Sequence, residues 1–95
     1  MTDQAQPELS FPAFILSLAH TAAVHLGDVP DPMSGQKADV DLVAAKQMID
    51  ILTLLEQKTR GNLGAEERQM LEQVLYELRL RYIEVEKGPS RIIQP

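Results

Sequence analysis

Residues 54–82 read LLEQKTRGNLGAEERQMLEQVLYELRLRY, which combines the end of one helix, a glycine turn and the start of another. Lys58 and Arg60 precede Gly61, and basic residues before a glycine are typical of a helix C-terminus, where the helix dipole is negative. Glu66 and Glu67 follow the turn, where the dipole of a new helix is positive. This stretch therefore predicts two helices joined by a short connection.

A row of large apolar residues runs along the helix that follows the turn. They recur in alternating steps of four and three, the spacing of a coiled-coil seam: Leu71, Leu75, Leu78, Tyr82 and Val85, with Val74 beside them. A second apolar patch lies opposite this seam and consists of Tyr76, Leu80 and Ile83. The seam predicts the buried face of the helix, and the second patch predicts an interface.

Two further helices are predicted upstream, so the fold class is all-α. Ser10 is a typical N-cap and Gly27 a typical helix stop. Asp39 or Asp41 can cap the second helix, and the proline-rich and glycine-containing loop before it excludes regular structure. The predicted segments are a disordered leader 1–9, a single helical domain 10–87 with helices over about 11–26, 40–60 and 65–87, a long 27–39 loop, and a flexible tail 88–95.

The predicted first helix is apolar on most sides and carries no Asp, Glu, Lys or Arg. A helix of this kind is normally buried. We place Leu16 in its apolar face and Ile51 in that of the second helix. Three helices of a monomer cannot easily cover all of this surface, and exposed apolar clusters promote association. We therefore predict a dimeric helical bundle, a homodimer with helix one at its centre and an interface that includes Phe11, Leu18, Ala22, Tyr76, Leu80 and Ile83.

Composition narrows the class of protein. The chain has 95 residues, a formal net charge of −5 and no cysteine. Disulfides and cysteine nucleophiles are therefore excluded, and nucleic acid is a poor match for the overall charge. The uncharged run 9–27 contains Ser, Thr, Pro and His, and it lacks the basic flank of a signal peptide. No serine lies in a GxSxG context. We predict a cytoplasmic protein with no membrane span, no catalytic residue and no cofactor.

The stretch HTAAVHLGDVPDPMSG, residues 20–35, most resembles a metal or ligand site. Its two histidines are five residues apart and so do not share a helix face, whereas helical zinc ligands are four apart. Its aspartates do not follow the spacing of an EF-hand loop. We interpret the stretch as a helix end followed by a turn-rich loop. A ligand- or metal-dependent role at the 25–35 loop, through His25, Asp28 and Asp31, is the alternative.

Basic residues of the second and third helices offer a further alternative. Lys58, Arg60 and Arg81 could contact RNA or the ribosome if the fold brings them together. Glutamates are interleaved with them along the chain, which favours a salt-bridged surface instead.

Several motifs together are similar to those of a known bacterial family. They are FPAFILSLAHTAAVHLG, the PDP loop, AKQMIDIL, KTRGNL and ELRLRY. Over about residues 11–82 the chain resembles the family catalogued as domain of unknown function 1844. The resemblance implies a small soluble cytoplasmic bacterial protein and brings no reaction or site residues with it. It also implies Thr or Ser where this chain has Gly64, a change that weakens the N-cap by a few tenths of a kcal/mol.

These features together predict a non-enzymatic interaction module. We expect it to form a homodimer and to bind a protein partner through its excess apolar helix surface. The roles at the loop and in RNA association stay open as alternatives.

Overall fold

The computed structural model describes residues 9–37 and 39–88. The leader predicted at 1–9 (except Leu9) and the tail predicted at 88–95 (except Gly88) lie outside the described residues. Three helices make up the described part, and it contains no strand, so the predicted all-α class is confirmed. The helices are α1 (Phe11–His25), α2 (Leu42–Lys58) and α3 (Ala65–Lys87), each ending within two residues of its predicted bounds.

The start of each helix is fixed by a local hydrogen bond. The Ser10 hydroxyl accepts from the backbone N–H of Ala13 at 3.1 Å, and an Asp41 carboxylate oxygen accepts from Ala44 at 3.0 Å. Asp41 is therefore the cap of α2. Gly64 has no side chain to cap α3, and the Glu67 carboxylate instead accepts from the Gly64 N–H at 3.0 Å. This bond supplies the reciprocal half of a capping box.

A Schellman motif ends α1. Gly27 has a left-handed backbone, with φ at +83°, which glycine adopts without steric penalty. The Gly27 N–H donates to the Val24 carbonyl at 3.0 Å, and the Asp28 N–H donates to the Ala23 carbonyl at 2.9 Å. These are the two hydrogen bonds that define the motif. The chain reverses here, and Asp28 is placed beside the last turn of α1.

The connection between α1 and α2 is organised by its own hydrogen bonds. Its two ends meet where the Asp41 N–H donates to the His25 carbonyl at 2.8 Å. Within it, the Asp31 N–H donates to the Gln36 carbonyl, and the Asp31 carbonyl accepts from Gly35 at 2.7 Å. The loop therefore closes on itself and returns the chain to α2 beside the end of α1.

One aliphatic core lies where the three helices meet. Its buried members come from every helix: Ile15, Ala22, Leu26, Ala45, Ile49, Leu52, Leu71, Leu75 and Leu78. Half-buried side chains pack around them, among them Phe11, Leu18, Met48, Val74, Tyr82 and Val85. The predicted seam of α3 is confirmed as its buried face.

Two apolar residues were predicted in the wrong place. Leu16 is 55% exposed and Ile51 is 43% exposed, although both were assigned to apolar helix faces. Leu16 directly follows the buried Ile15, and Ile51 directly precedes the buried Leu52. One residue turns a helix by 100°, which moves both side chains off the buried face. Two neighbouring helices do not cover so wide an arc. Within this chain, α1 is consequently not buried on all sides.

None of the helices in the described segments is long and apolar enough to cross a membrane.

Candidate interaction surfaces

Asp28 is bound by an arginine from the far end of the chain. The Arg81 guanidinium donates from Nε to Oδ2 at 2.8 Å and from Nη2 to Oδ1 at 2.7 Å. It also donates to Glu84 at 3.2 Å. The hydrogen bonds to Asp28, and then the one to Glu84, raise the pKa of Arg81 above its ordinary value. This bidentate pair joins the end of α1 to α3, which gives Asp28 a structural role.

The other two loop candidates also make local structural contacts. His25 is the last residue of α1, and its carbonyl accepts the Asp41 N–H. An Asp31 carboxylate oxygen accepts from the Met33 N–H at 2.9 Å, which is an Asx turn. Across residues 9–37 and 39–88, no group of three or more His, Asp or Glu side chains is placed to hold a metal ion.

The basic candidates are spread over the molecule. Arg60 pairs with Glu56 at 2.8 Å, and this hydrogen-bonded contact raises the pKa of Arg60. Lys58 is exposed at the end of the same helix. Arg60 lies just before the turn that leads into α3, whereas Arg81 lies near the other end of that helix. At a rise of 1.5 Å per residue, Arg81 is about 24 Å from the start of α3. The fold therefore does not bring the three together, and two of them form ion pairs.

One exposed apolar surface lies on α3. We call Tyr76, Leu80 and Ile83 the α3 stripe; their side chains are 64%, 46% and 44% exposed. The stripe borders a groove of about 470 Å³ that also includes Leu75, and Glu56 of α2 stands on its far wall. The patch predicted opposite the buried seam is thus exposed to solvent.

Charged side chains flank the α3 stripe on both sides. At 100° per residue, Glu72, Arg79 and Glu86 follow one edge, and Glu77 and Glu84 follow the other. Arg79 donates to the Thr53 hydroxyl of α2 at 2.8 Å, and it lines the groove between the stripe and α2. The edges therefore carry mainly carboxylates.

The second exposed surface is the side of α1 that faces away from the core. We call it the outer face of α1, and it consists of Ala13, Phe14, Leu16, Ser17, His20 and Thr21. The Ser17 hydroxyl donates to the Phe14 carbonyl at 2.8 Å, and the Thr21 hydroxyl donates to the Ser17 carbonyl at 3.1 Å. Both hydroxyl groups therefore donate to carbonyls of the same helix. The face carries no Asp, Glu, Lys or Arg.

The remaining predicted interface residues lie on the opposite side of α1. Phe11 and Leu18 are half-buried against the core, and Ala22 is fully buried in it. In the folded chain these three residues pack against α2 and α3. The signal for the outer face in the sequence is the absence of charged residues from the first helix, a pattern that by itself predicts a buried helix.

Comparison with known proteins identifies a family and nothing closer. A search of curated proteins and a search of solved structures gave no match. A family described as a domain of unknown function, DUF1844, matches residues 8–84, which is most of the chain. The motifs that suggested this resemblance all lie within the matched residues. The chain therefore belongs to the DUF1844 family.

Proposed function

We propose that the protein is a non-enzymatic interaction module that works as a homodimer, formed where the outer faces of two α1 helices meet. The observation that carries this proposal is the exposed side of α1, which extends from Ala13 to Thr21 without an Asp, Glu, Lys or Arg. Exposed faces of soluble helices normally carry charge. An uncharged exposed face is typical of a surface that another protein covers.

A second copy of this chain suits the outer face for an electrostatic reason. Each copy carries a formal charge of −5, so two copies repel wherever acidic surfaces come together. A two-fold axis brings identical surfaces into contact. On α1 that contact sets apolar and small residues against each other, while the edges of the α3 stripe would bring carboxylates together.

Small residues allow the two helices to approach closely. Ser17 lies near the middle of α1 and near the centre of the exposed arc, with Ala13 one turn before it and Thr21 one turn after it. Their side chains leave a shallow surface, and Phe14 and Leu16 stand at its edges to provide apolar contact area. Burying an apolar side chain of this size contributes roughly 1.5–3 kcal/mol.

The size of the face sets the expected affinity. The exposed face extends from Ala13 to Thr21, about 12 Å along the helix at 1.5 Å per residue, and it supplies less than the ~800 Å² per partner of a standard interface. We therefore expect a dimer that dissociates on dilution, with a Kd on the order of micromolar.

The test is the mass of the protein in solution, measured by sedimentation over a dilution series. Ser17→Glu places a carboxylate at the centre of the outer face, and we expect this variant to stay monomeric where the wild type is dimeric. Leu54→Glu is the matched control, because Leu54 is also exposed but lies on α2, and it should dimerise normally. A wild-type monomer at every concentration would refute the proposal.

We also propose a cytoplasmic location, which the cysteine-free composition supports. We do not extend the proposal to a loop ligand or to RNA. Asp28 is engaged by Arg81, and Arg60 by Glu56, so neither alternative gains support from the positions of its candidate residues.

A further inference from the structure

We infer that the α3 stripe is the docking site for an amphipathic helix of another protein, with an apolar seam flanked by lysine or arginine. This inference rests on the proposed function as an interaction module. It concerns a different surface and a different occupant from the copy-to-copy contact on α1.

The spacing of the stripe fits a helix. Tyr76, Leu80 and Ile83 are separated by four and three residues, the spacing with which one helix packs along another. Side chains of a second helix that lies on this stripe would also enter the groove beside it. That groove is lined by Leu75 and by the stripe residues. Helix-in-groove binding of this kind relies on a few apolar anchors at helical spacing.

The apolar surface continues past the stripe toward α2. A recess of about 290 Å³ follows the groove between α2 and α3. It is lined by Ile49, Tyr82 and Ile83, with the charged residues Lys46, Asp50 and Arg79 around them. Ile83 borders both the groove and the recess. The two concave surfaces are therefore adjacent along the α2–α3 boundary.

The charges beside the stripe determine the chemistry of the partner. Between residues 72 and 87 four glutamates flank the stripe, against Arg79 on one edge and Lys87 in line with its C-terminal end. Glu84 is shared with Arg81, and Arg79 donates to Thr53 while lining both the groove and the recess. A partner helix with lysine or arginine at its flanking positions would face carboxylates on both sides. Acidic flanks, including those of a second copy, would meet like charge.

A pair of synthetic peptides tests this directly. Both are amphipathic helices with the same leucine seam; one has lysine at the flanking positions and the other has glutamate. Binding of each fluorescently labelled peptide to the full-length protein is measured by anisotropy at two salt concentrations. We expect the lysine peptide to bind at least about tenfold more tightly than the glutamate peptide, a difference of about 1.4 kcal/mol, and to weaken as salt is added.

Three variants locate the binding site. Leu80→Glu should abolish binding of the lysine peptide, while Leu54→Glu, an equally exposed leucine changed in the same way on α2, should leave it unchanged. The double variant Glu72→Lys/Glu77→Lys should remove or reverse the preference between the peptides. Circular dichroism confirms that each variant is helical, so a loss of binding can be assigned to the surface.

Several results would overturn the inference. They are equal binding of the two peptides, binding of neither, and binding that Leu80→Glu leaves intact. Dissociation of the dimer by Leu80→Glu would assign the stripe to copy-to-copy contact instead. The two proposals fail separately: a Ser17→Glu monomer should still bind the lysine peptide, and a stable dimer that binds no peptide would refute only the docking site.

Discussion

Leu52→Ala tests whether the three helices pack as one core. Leu52 is 0% exposed, at the centre of the contact between α2 and its neighbours. Truncation removes three buried carbon atoms and leaves a cavity, which destabilises a protein by about 2–5 kcal/mol. A domain of this size has a total stability of roughly 5–15 kcal/mol. A loss of about 3 kcal/mol should lower Tm by about 12–24 °C.

Leu54→Ala is the matched control for this prediction. Leu54 lies two residues further along the same helix and is 52% exposed. Leu54→Ala removes the same atoms and changes the helix propensity by the same amount as Leu52→Ala. Because the side chain is exposed, we expect the free energy of unfolding to change by no more than about 0.5 kcal/mol. Urea unfolding followed by circular dichroism measures the stability of both variants. It is done at one protein concentration, because the proposed dimer would make stability concentration-dependent. Equal losses at the two positions would refute the described orientation of α2.

Three further predictions concern the loop and the helix ends, each measured by urea unfolding. Asp28→Asn removes the bidentate partner of Arg81 and should destabilise the protein by up to about 1 kcal/mol, and by less at high salt. The control Asp50→Asn breaks an exposed pair on the surface of α2 and should have a smaller effect. A larger effect at Asp50 would contradict the structural role of Asp28. Gly27→Ala should lower the free energy of unfolding by about 1–3 kcal/mol, more than Gly35→Ala does. Both glycines have positive φ, but only at Gly27 would an added Cβ lie 3.1 Å from a neighbouring valine. Equal losses of stability for the two variants would argue against that contact. Gly64→Ser should stabilise the protein by a few tenths of a kcal/mol by providing an N-cap side chain, and a destabilised variant would show that the cap of α3 is not limiting.

The helices could be predicted because their signals are local. Ser10, Gly27 and Gly61 mark helix ends through hydrogen bonds and backbone angles that involve only nearby residues. The buried seam of α3 follows from the period of the helix alone. The choice between Asp39 and Asp41 could not be made in this way, since both residue types favour the cap position and only the structure shows which one accepts the bond.

The surfaces depend on tertiary arrangement and were harder to predict. Whether Leu16 and Ile51 are covered depends on how far the neighbouring helices reach around α1 and α2, which the period of one helix does not define. The pair of Asp28 with Arg81 joins residues 53 positions apart. Nothing in the local sequence of either residue indicates the other. The exposure of the α3 stripe can be predicted from the sequence. Apolar residues on the side of a helix opposite its buried seam cannot pack into the same core.

The most direct test of the central proposal uses the absence of cysteine from the chain. Ser17→Cys introduces a single thiol at the centre of the outer face of α1, and Leu54→Cys introduces one at an exposed site on α2. Mild oxidation at concentrations where the protein is dimeric should produce a rapid disulfide-linked dimer from Ser17→Cys and little from Leu54→Cys. Equal rates for the two variants, or a faster reaction at position 54, would contradict the assignment of the dimer contact to α1.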